Sequence, residues 1–275
     1  MKLTADNYYS AEANMEYISV SQFREFCGSP IRPGCEARGL AEAKGEILHI
    51  PTTAMAVGSY VDAYFSHELD KYRLEHPEIF SSRGKTAGEL KSEYRLAEAM
   101  IERAIREPLF MRYMDGDTQM ILEGEIDGVR VKAKLDSCDG RRITDLKTTR
   151  SISETYFIKD SGERLNFIEA NGYDLQGAVY QELYFQNFGK RLPFYIAAIS
   201  KDRASDGIYH PRVAVIEVSQ QMMDERLIEF KKNVRKIQLI KTGEIVPIAC
   251  GVCDYCADTL PLEKVISVDE LMVDI

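Results

Sequence analysis

The segment VRVKAKLDSCDGRRITDLK, from Val129 to Lys147, admits few structures other than a hairpin. Val129, Val131, Ala133 and Leu135 alternate with Arg130, Lys132, Lys134 and Asp136, the two-residue period of a strand with one face buried. Asp139-Gly140 follows as a turn, because both residue types tolerate the positive φ of a type I′ loop. With those residues as the loop, Asp136 lies opposite Ile143. Asp145 and Lys147 then share the face of Asp136, since side chains repeat every second residue. Two carboxylates and a lysine on one face, beside basic residues, are what metal-assisted cleavage of a phosphodiester needs. The carboxylates hold a divalent cation, the cation activates water and offsets charge, and the lysine positions or stabilises the reacting groups.

A second turn, Asp127-Gly128, makes this hairpin part of a three-stranded meander in which 118–126 pairs with 129–137. Glu125 then faces Arg130, Glu123 faces Lys132 and Gln119 faces Asp136. Glu123 and Glu125 lie roughly 13–20 Å along the strand from Asp136 at the usual rise per residue, so they read as salt-bridge or groove residues. The row Arg130, Lys132, Lys134 reads as a solvated strand face more readily than as a phosphate contact.

Elsewhere, residues 1–18 read as an irregular lead-in and Ser19 as the cap of a short helix. Glu36 to Lys44 is helical and ends near Gly45. Thr52 to about His76 carries a long helical pattern with Val57, Val61, Tyr64, Phe65 and Leu69 at core spacings. Asp62 falls within it, either on an exposed turn or as a carboxylate delivered to a metal. The histidines at 49, 67, 76 and 210 have no ligand spacing. Further helices are expected over 89–106, from Ser151, over 167–188 and over 219–241, with strands over 193–200 and 209–218. Gln176 and Tyr180 share one face of the 167–188 helix. This order of elements defines an α/β (α+β) fold, and without repeats or linkers we read 1–275 as one domain.

Net charge of −9 argues against a protein that coats nucleic acid nonspecifically, but not against a carboxylate metal site beside a local basic patch. With no membrane-length apolar run or signal pattern, a soluble cytoplasmic protein is expected. In that setting six cysteines favour metal binding over disulfides. Cys250, Cys253 and Cys256 form C-x2-C-x2-C, spacing that suits zinc or an iron–sulfur cluster without deciding between them. The fourth ligand must come from afar. Cys35 and Cys27 are candidates, while Cys138 beside the hairpin turn is incidental.

Taken together these motifs resemble the PD-(D/E)xK nuclease superfamily, in its RecB-like branch, and most of all phage and prophage exonucleases of the RecE (exonuclease VIII) type. The resemblance runs through Tyr17-Ile-Ser-Val-Ser-Gln-Phe23, Cys35-Glu36, Gly58-x3-Asp62, Leu135-Asp136, Asp145-Leu-Lys147-Thr-Thr, Gln176-x3-Tyr180 and the C-terminal cysteines. It implies a restriction-endonuclease-like core with a central mixed sheet flanked by helices. It also implies a DNA exonuclease acting at double-stranded ends in recombination or repair, with an annealing protein of the RecT type as partner and a homo-oligomeric assembly. Asp136 and Asp145 would hold Mg²⁺ or Mn²⁺, the Leu146 carbonyl would complete the coordination, and Lys147 would orient the water. Gln176 and Tyr180 would match the motif that follows the catalytic core. Asp62 stands where many relatives carry a metal-binding histidine. Cys35, Cys250, Cys253 and Cys256 would match a four-cysteine [4Fe–4S] staple, with zinc as the alternative. A non-catalytic DNA-binding or zinc-containing interaction protein that keeps the fold is the competing reading.

Overall fold

The computed structural model describes residues 1–47, 50–159, 161–202, 209–262, 265, 267 and 268; His49 and the C-terminal end of the expected single domain lie outside them. The polar lead-in contains a helix, α1 (Ala11–Glu16), because Ser10 accepts the N–H of Ala13 and so caps it. Helix α2 (Val20–Cys27) starts at Ser19 through a reciprocal capping box with Gln22. A small ribbon, β1 (Gly28–Ser29) and β2 (Arg32–Pro33), leads to α3 (Glu36–Lys44), which stops at Gly45 in the left-handed region. The long helix expected from Thr52 is two, α4 (Thr53–Phe65) and α5 (Leu69–Glu75), parted at His67 with φ 63°. Helices α6 (Ser92–Ile105) and α7 (Pro108–Met114) follow. Next come the meander strands β3 (Asp117–Ile126), β4 (Val129–Cys138) and β5 (Ile143–Thr149).

No helix begins at Ser151. A ribbon of β6 (Thr155–Phe157) and β7 (Arg164–Asn166) forms instead, in keeping with the β-preferring Thr-Tyr-Phe run. The expected 167–188 helix is divided at Gly172, φ 67°, into α8 (Phe167–Asn171) and α9 (Tyr173–Phe188). Strands β8 (Phe194–Ser200) and β9 (Val213–Val218), helix α10 (Gln220–Lys241) and the short α11 (Asp254–Thr259) complete the chain.

The central sheet has the order β3-β4-β5-β8-β9, with β5 and β8 parallel and the other neighbours antiparallel. On one side α2, α9 and α10 bury Phe23, Val179, Leu183 and Phe230 with Val131, Leu135 and Phe194 of the sheet. On the other, α4, α6 and α7 bury Val57, Val61, Met100 and Phe110 with Leu146, Ala197 and Ile199. This is the expected mixed α/β arrangement. No helix among the described residues is long and apolar enough to cross a membrane.

Two registers decide where the site lies. Between β3 and β4 the pairing is as expected, Glu125 opposite Arg130 and Glu123 opposite Lys132, with Asp127 and Gly128 at φ 52° and 73°. Between β4 and β5 it is not. The loop spans Asp139–Arg142, because the Asp139 carboxylate accepts the N–H groups of both Arg141 and Arg142 at 2.9 Å. Cys138, not Asp136, therefore lies opposite Ile143, and only Ser137–Thr144 extends the ladder. A shift of two keeps every side chain on its original face, so Asp136 and Asp145 still come together. Beyond these pairs β4 leaves β5. Its freed edge is taken by the N-terminal arm: Ile18 N–H donates to the Arg130 carbonyl at 2.9 Å and Lys132 N–H to the Ile18 carbonyl at 3.0 Å.

Candidate active site

The split between β4 and β5 is closed at its narrow end by an acid. The Leu146 N–H has no strand partner on the β4 side, and it donates to Asp136 Oδ2 at 2.8 Å. A residue's N–H and C=O leave a strand on the same edge, so the Leu146 carbonyl faces the split as well. Asp145 is fully buried, with Gln176 Nε2 donating to its Oδ1 at 2.8 Å and Lys147 Nζ 2.5 Å from its Oδ2. Gln176 Nε2 also donates to the Tyr180 hydroxyl at 2.7 Å, while Gln176 Oε1 is buried with no hydrogen-bond partner among the described residues. Asp62 comes in from α4, with the Gln119 amide 3.5 Å from each of its oxygens. One turn before it, Gly58 brings α4 so close to β5 that a Cβ there would sit 3.2 Å from Thr148 Oγ1.

Asp62, Gln119, Asp136, Gln176 and Tyr180 line a cavity of about 170 Å³ together with Tyr8, Tyr9, Arg24 and Lys134. Burial pushes the Asp136 carboxyl well above the usual range, and the charges of Asp145 and Asp62 add to it; Lys147 and the Leu146 N–H offset only part. Burial also raises Asp62, against the pull of Lys134 and Lys147. For Lys147 burial acts downward, yet Asp145 and Asp136 override it and hold the ammonium above its ordinary pKa. Burial likewise keeps the Tyr180 phenol protonated. Three acids thus meet the ammonium groups of Lys134 and Lys147. Hard oxygen donors grouped this way suit Mg²⁺ or Mn²⁺.

The structure therefore brings together Asp62, Asp136, Asp145, Leu146, Lys147, Gln176 and Tyr180. It corrects the reading of the basic row. Lys132 is buried, donating to the Tyr8 carbonyl at 2.5 Å and to Asn14 Oδ1 at 2.8 Å, and Arg130 is engaged by Glu16 and Tyr17. Lys132 and Lys134 both line the cavity, the Lys132 ammonium being bound to the arm. Gln119 keeps its place beside Asp136 but at φ 55° is left out of the ladder. The aromatic pair Tyr8-Tyr9, in an otherwise polar lead-in, was a signal that hydrophobic periodicity passes over.

A second centre joins the ends of the fold. Cys35, Cys250, Cys253 and Cys256 place their sulfurs within 4.8 Å of one another, while Cys27 is exposed and apart. Cys35 and Cys256 sulfurs are 3.6 Å apart, and Cys250 and Cys256 sulfurs 3.8 Å. Backbone N–H groups of Val252 and Cys253 pull the Cys250 thiol down to about 6, favouring a thiolate ligand. A tetrahedron of sulfurs at the usual zinc–sulfur length of about 2.3 Å has edges of about 3.8 Å. The observed spacing fits a single ion, whereas a cubane cluster holds its cysteines farther apart, one on each outer iron. The neighbouring backbone is tied down too, with Ile248 N–H donating to Glu36 Oε2 at 2.9 Å.

A mixed sheet split between two strands, with Asp136 on one lip and Asp145-Leu-Lys147 on the other, is the arrangement of a PD-(D/E)xK nuclease. The chain belongs to the family of the PDDEXK-like domain of unknown function (DUF3799), whose model matches residues 19–259. The crystal structure of a candidate exonuclease from Eubacterium rectale superposes with a TM-score of 0.92 at 40% identity, covering 100% of both chains. A further structure, SSO0001, reaches a TM-score of only 0.28 at 14% identity over 74% of this chain and 88% of that one, and carries no argument. Comparison with curated proteins finds no match.

Proposed function

We propose that the chain is a divalent-metal-dependent deoxyribonuclease that degrades DNA from double-stranded ends. The observation that carries this reading is the convergence of Asp136, Asp145 and Lys147 at the narrow end of the β4–β5 split. Asp62, Asp136, Asp145 and the Leu146 carbonyl would hold Mg²⁺ or Mn²⁺, which when bound supplies Lewis-acid activation of water and neutralises phosphate charge. Lys147, fixed by Asp145, brings a permanent positive charge to the place where negative charge develops on the phosphate. Gln176 orients Asp145, and the protonated Tyr180 accepts the second proton of the Gln176 amide, so both act as positioning residues. Attack at ends is supported by the description of the Eubacterium rectale relative as a candidate exonuclease. A role in recombination, with an annealing partner of the RecT type and a homo-oligomeric assembly, extends the reading and rests on the RecE-type resemblance alone.

The test is an assay with Mg²⁺ on end-labelled linear duplex and on covalently closed circles, comparing wild type with Lys147→Ala. Linear DNA should be degraded and circles spared, with the variant slower by about a hundredfold or more. Equal rates for the two proteins, or cleavage of circles alone, would overturn the exonuclease reading, and no cleavage of either DNA would return the chain to the non-catalytic DNA-binding class.

The four-cysteine centre we assign as a structural single-ion site, zinc by its sulfur spacing, within one domain spanning 1–275. Metal analysis and the visible spectrum decide this. Stoichiometric zinc in colourless protein is expected, and a brown protein with iron and sulfide would restore the [4Fe–4S] staple.

A further inference from the structure

Tyr9 stands at the rim of the carboxylate cavity with 68% of its surface exposed, although it is a large aromatic ring. It is not loose. Its ring meets the buried Tyr8 edge-on, with centroids 4.9 Å apart at 84°. Lys134 Nζ lies over the same ring at 4.8 Å, and Asn14 Nδ2 donates to the Tyr9 carbonyl at 3.3 Å. Tyr8 in turn is anchored by Lys132, whose ammonium sits 4.6 Å from its ring and bonds its carbonyl. The molecule therefore holds one aromatic face fixed and open to solvent beside Asp136. A second cavity, of about 720 Å³, shares Tyr8, Tyr9, Ser19, Ser21 and Arg24 with the first and runs on to Arg32. It has room for nucleotides and carries the Arg24 guanidinium, one N–H of which donates to the Asn171 carbonyl at 2.8 Å, while Arg32 is paired with Glu25.

We propose that Tyr9 is a base-stacking positioning residue, taking the unpaired base of the nucleotide next to the phosphate that sits at the carboxylates, with the strand continuing along the larger cavity past Arg24. This rests on the nuclease reading above and names the part of its substrate that the N-terminal arm contacts. An open aromatic face held rigidly suits this role because every base has a π-face and the ring loses little freedom on binding. Lys134 lies over the ring at 4.8 Å and joins it to the acids, while most of the Tyr9 surface stays exposed.

The test uses a short duplex with 2-aminopurine at the terminal or penultimate position and Ca²⁺ in place of Mg²⁺, with wild type, Tyr9→Phe and Tyr9→Ala. Stacking quenches 2-aminopurine, so wild type and Tyr9→Phe should quench it, and Tyr9→Ala should abolish the quench and weaken Kd about five- to a hundredfold. The slope of log Kd against log salt should stay the same in Tyr9→Ala, since no phosphate contact is removed. Its melting temperature should match wild type, because the ring is exposed. A full quench in Tyr9→Ala, or a lost quench accompanied by a shallower salt slope, overturns the assignment. Cleavage by wild type with an undiminished quench in Tyr9→Ala removes this inference and leaves the nuclease reading standing. A quench that depends on Tyr9 in a protein that cuts nothing does the reverse.

Discussion

Asp136 binds a proton more tightly than an ordinary carboxylate, because burial and the charges of Asp145 and Asp62 disfavour its ionised form. The sign of the consequence follows. The folded chain without metal retains this proton at pH values where the unfolded chain has lost it. Its contribution to stability is therefore complete below the ordinary carboxylate range and is lost as pH rises through the raised value. On the proposed function, a divalent cation would replace the proton and remove the penalty. Melting curves against pH should show metal-free wild type losing stability above the carboxylate range, Mn²⁺ restoring it, and Asp136→Asn showing neither effect. A wild-type melting temperature independent of both pH and Mn²⁺ would contradict the account.

At the scale of elements, two glycines set how closely helices approach the sheet. A Cβ at Gly177 would lie 2.4 Å from the Phe194 ring, so α9 touches β8 by its backbone. Gly177→Ala should cost about 1–3 kcal/mol through overpacking, read as a lowered denaturant midpoint, and disturb Gln176 beside it. Gly58 is different. Its nearest neighbour, Thr148 Oγ1 at 3.2 Å, can yield by a few tenths of an ångström. Gly58→Ala should leave the denaturant midpoint within about 0.5 kcal/mol yet shift Asp62. The variant should therefore need more Mn²⁺ for half-maximal activity. Unchanged metal dependence in Gly58→Ala would show that Asp62 does not serve the cation.

Across the whole molecule, the site depends on an arm held by lysines far along the chain. Lys241, near the end of α10, is buried and donates to the Asn14 carbonyl at 2.6 Å and to the Tyr17 carbonyl at 2.8 Å. It thus satisfies the carbonyls that α1 leaves open at its C-terminus. Lys132 holds the same arm from β4. Replacing Lys241 by methionine keeps the bulk but orphans the Tyr17 carbonyl, while the Asn14 carbonyl still accepts from Gln22 Nε2 at 3.0 Å, at a cost of about 1–3 kcal/mol. Hydrogen exchange should then rise over residues 8–22 before the sheet loosens, and cleavage should fall with it. Protection unchanged over the arm would mean that Ile18 pairing alone suffices to hold it.

Local physics was legible from the residues. Alternation at Val129–Leu135, the Asp127-Gly128 turn, the Ser19 cap and the C-x2-C-x2-C spacing each depend on neighbours a few positions away, and each stands where the sequence puts it. The same-face placement of Asp136, Asp145 and Lys147 survived a register error, because a slip of two preserves side-chain parity. The site itself needed tertiary structure. Asp139 bonding to Arg141 and Arg142 lengthened the loop, the departure of β4 from β5 opened the cleft, and Ile18 occupied the vacant edge. Burial by the arm turned Lys132 from a surface charge into an anchor. His67 and Gly172 broke helices whose apolar spacing runs on unbroken. Sequence periodicity reports which face of an element is apolar, and on that basis alone the chain determined its strands, its caps and its acidic residues. Which edges stay paired, and which charges meet across a gap, is decided by segments more than a hundred residues apart, as Tyr17 with Glu123 and Cys35 with Cys256 show, and only the folded chain brings them together.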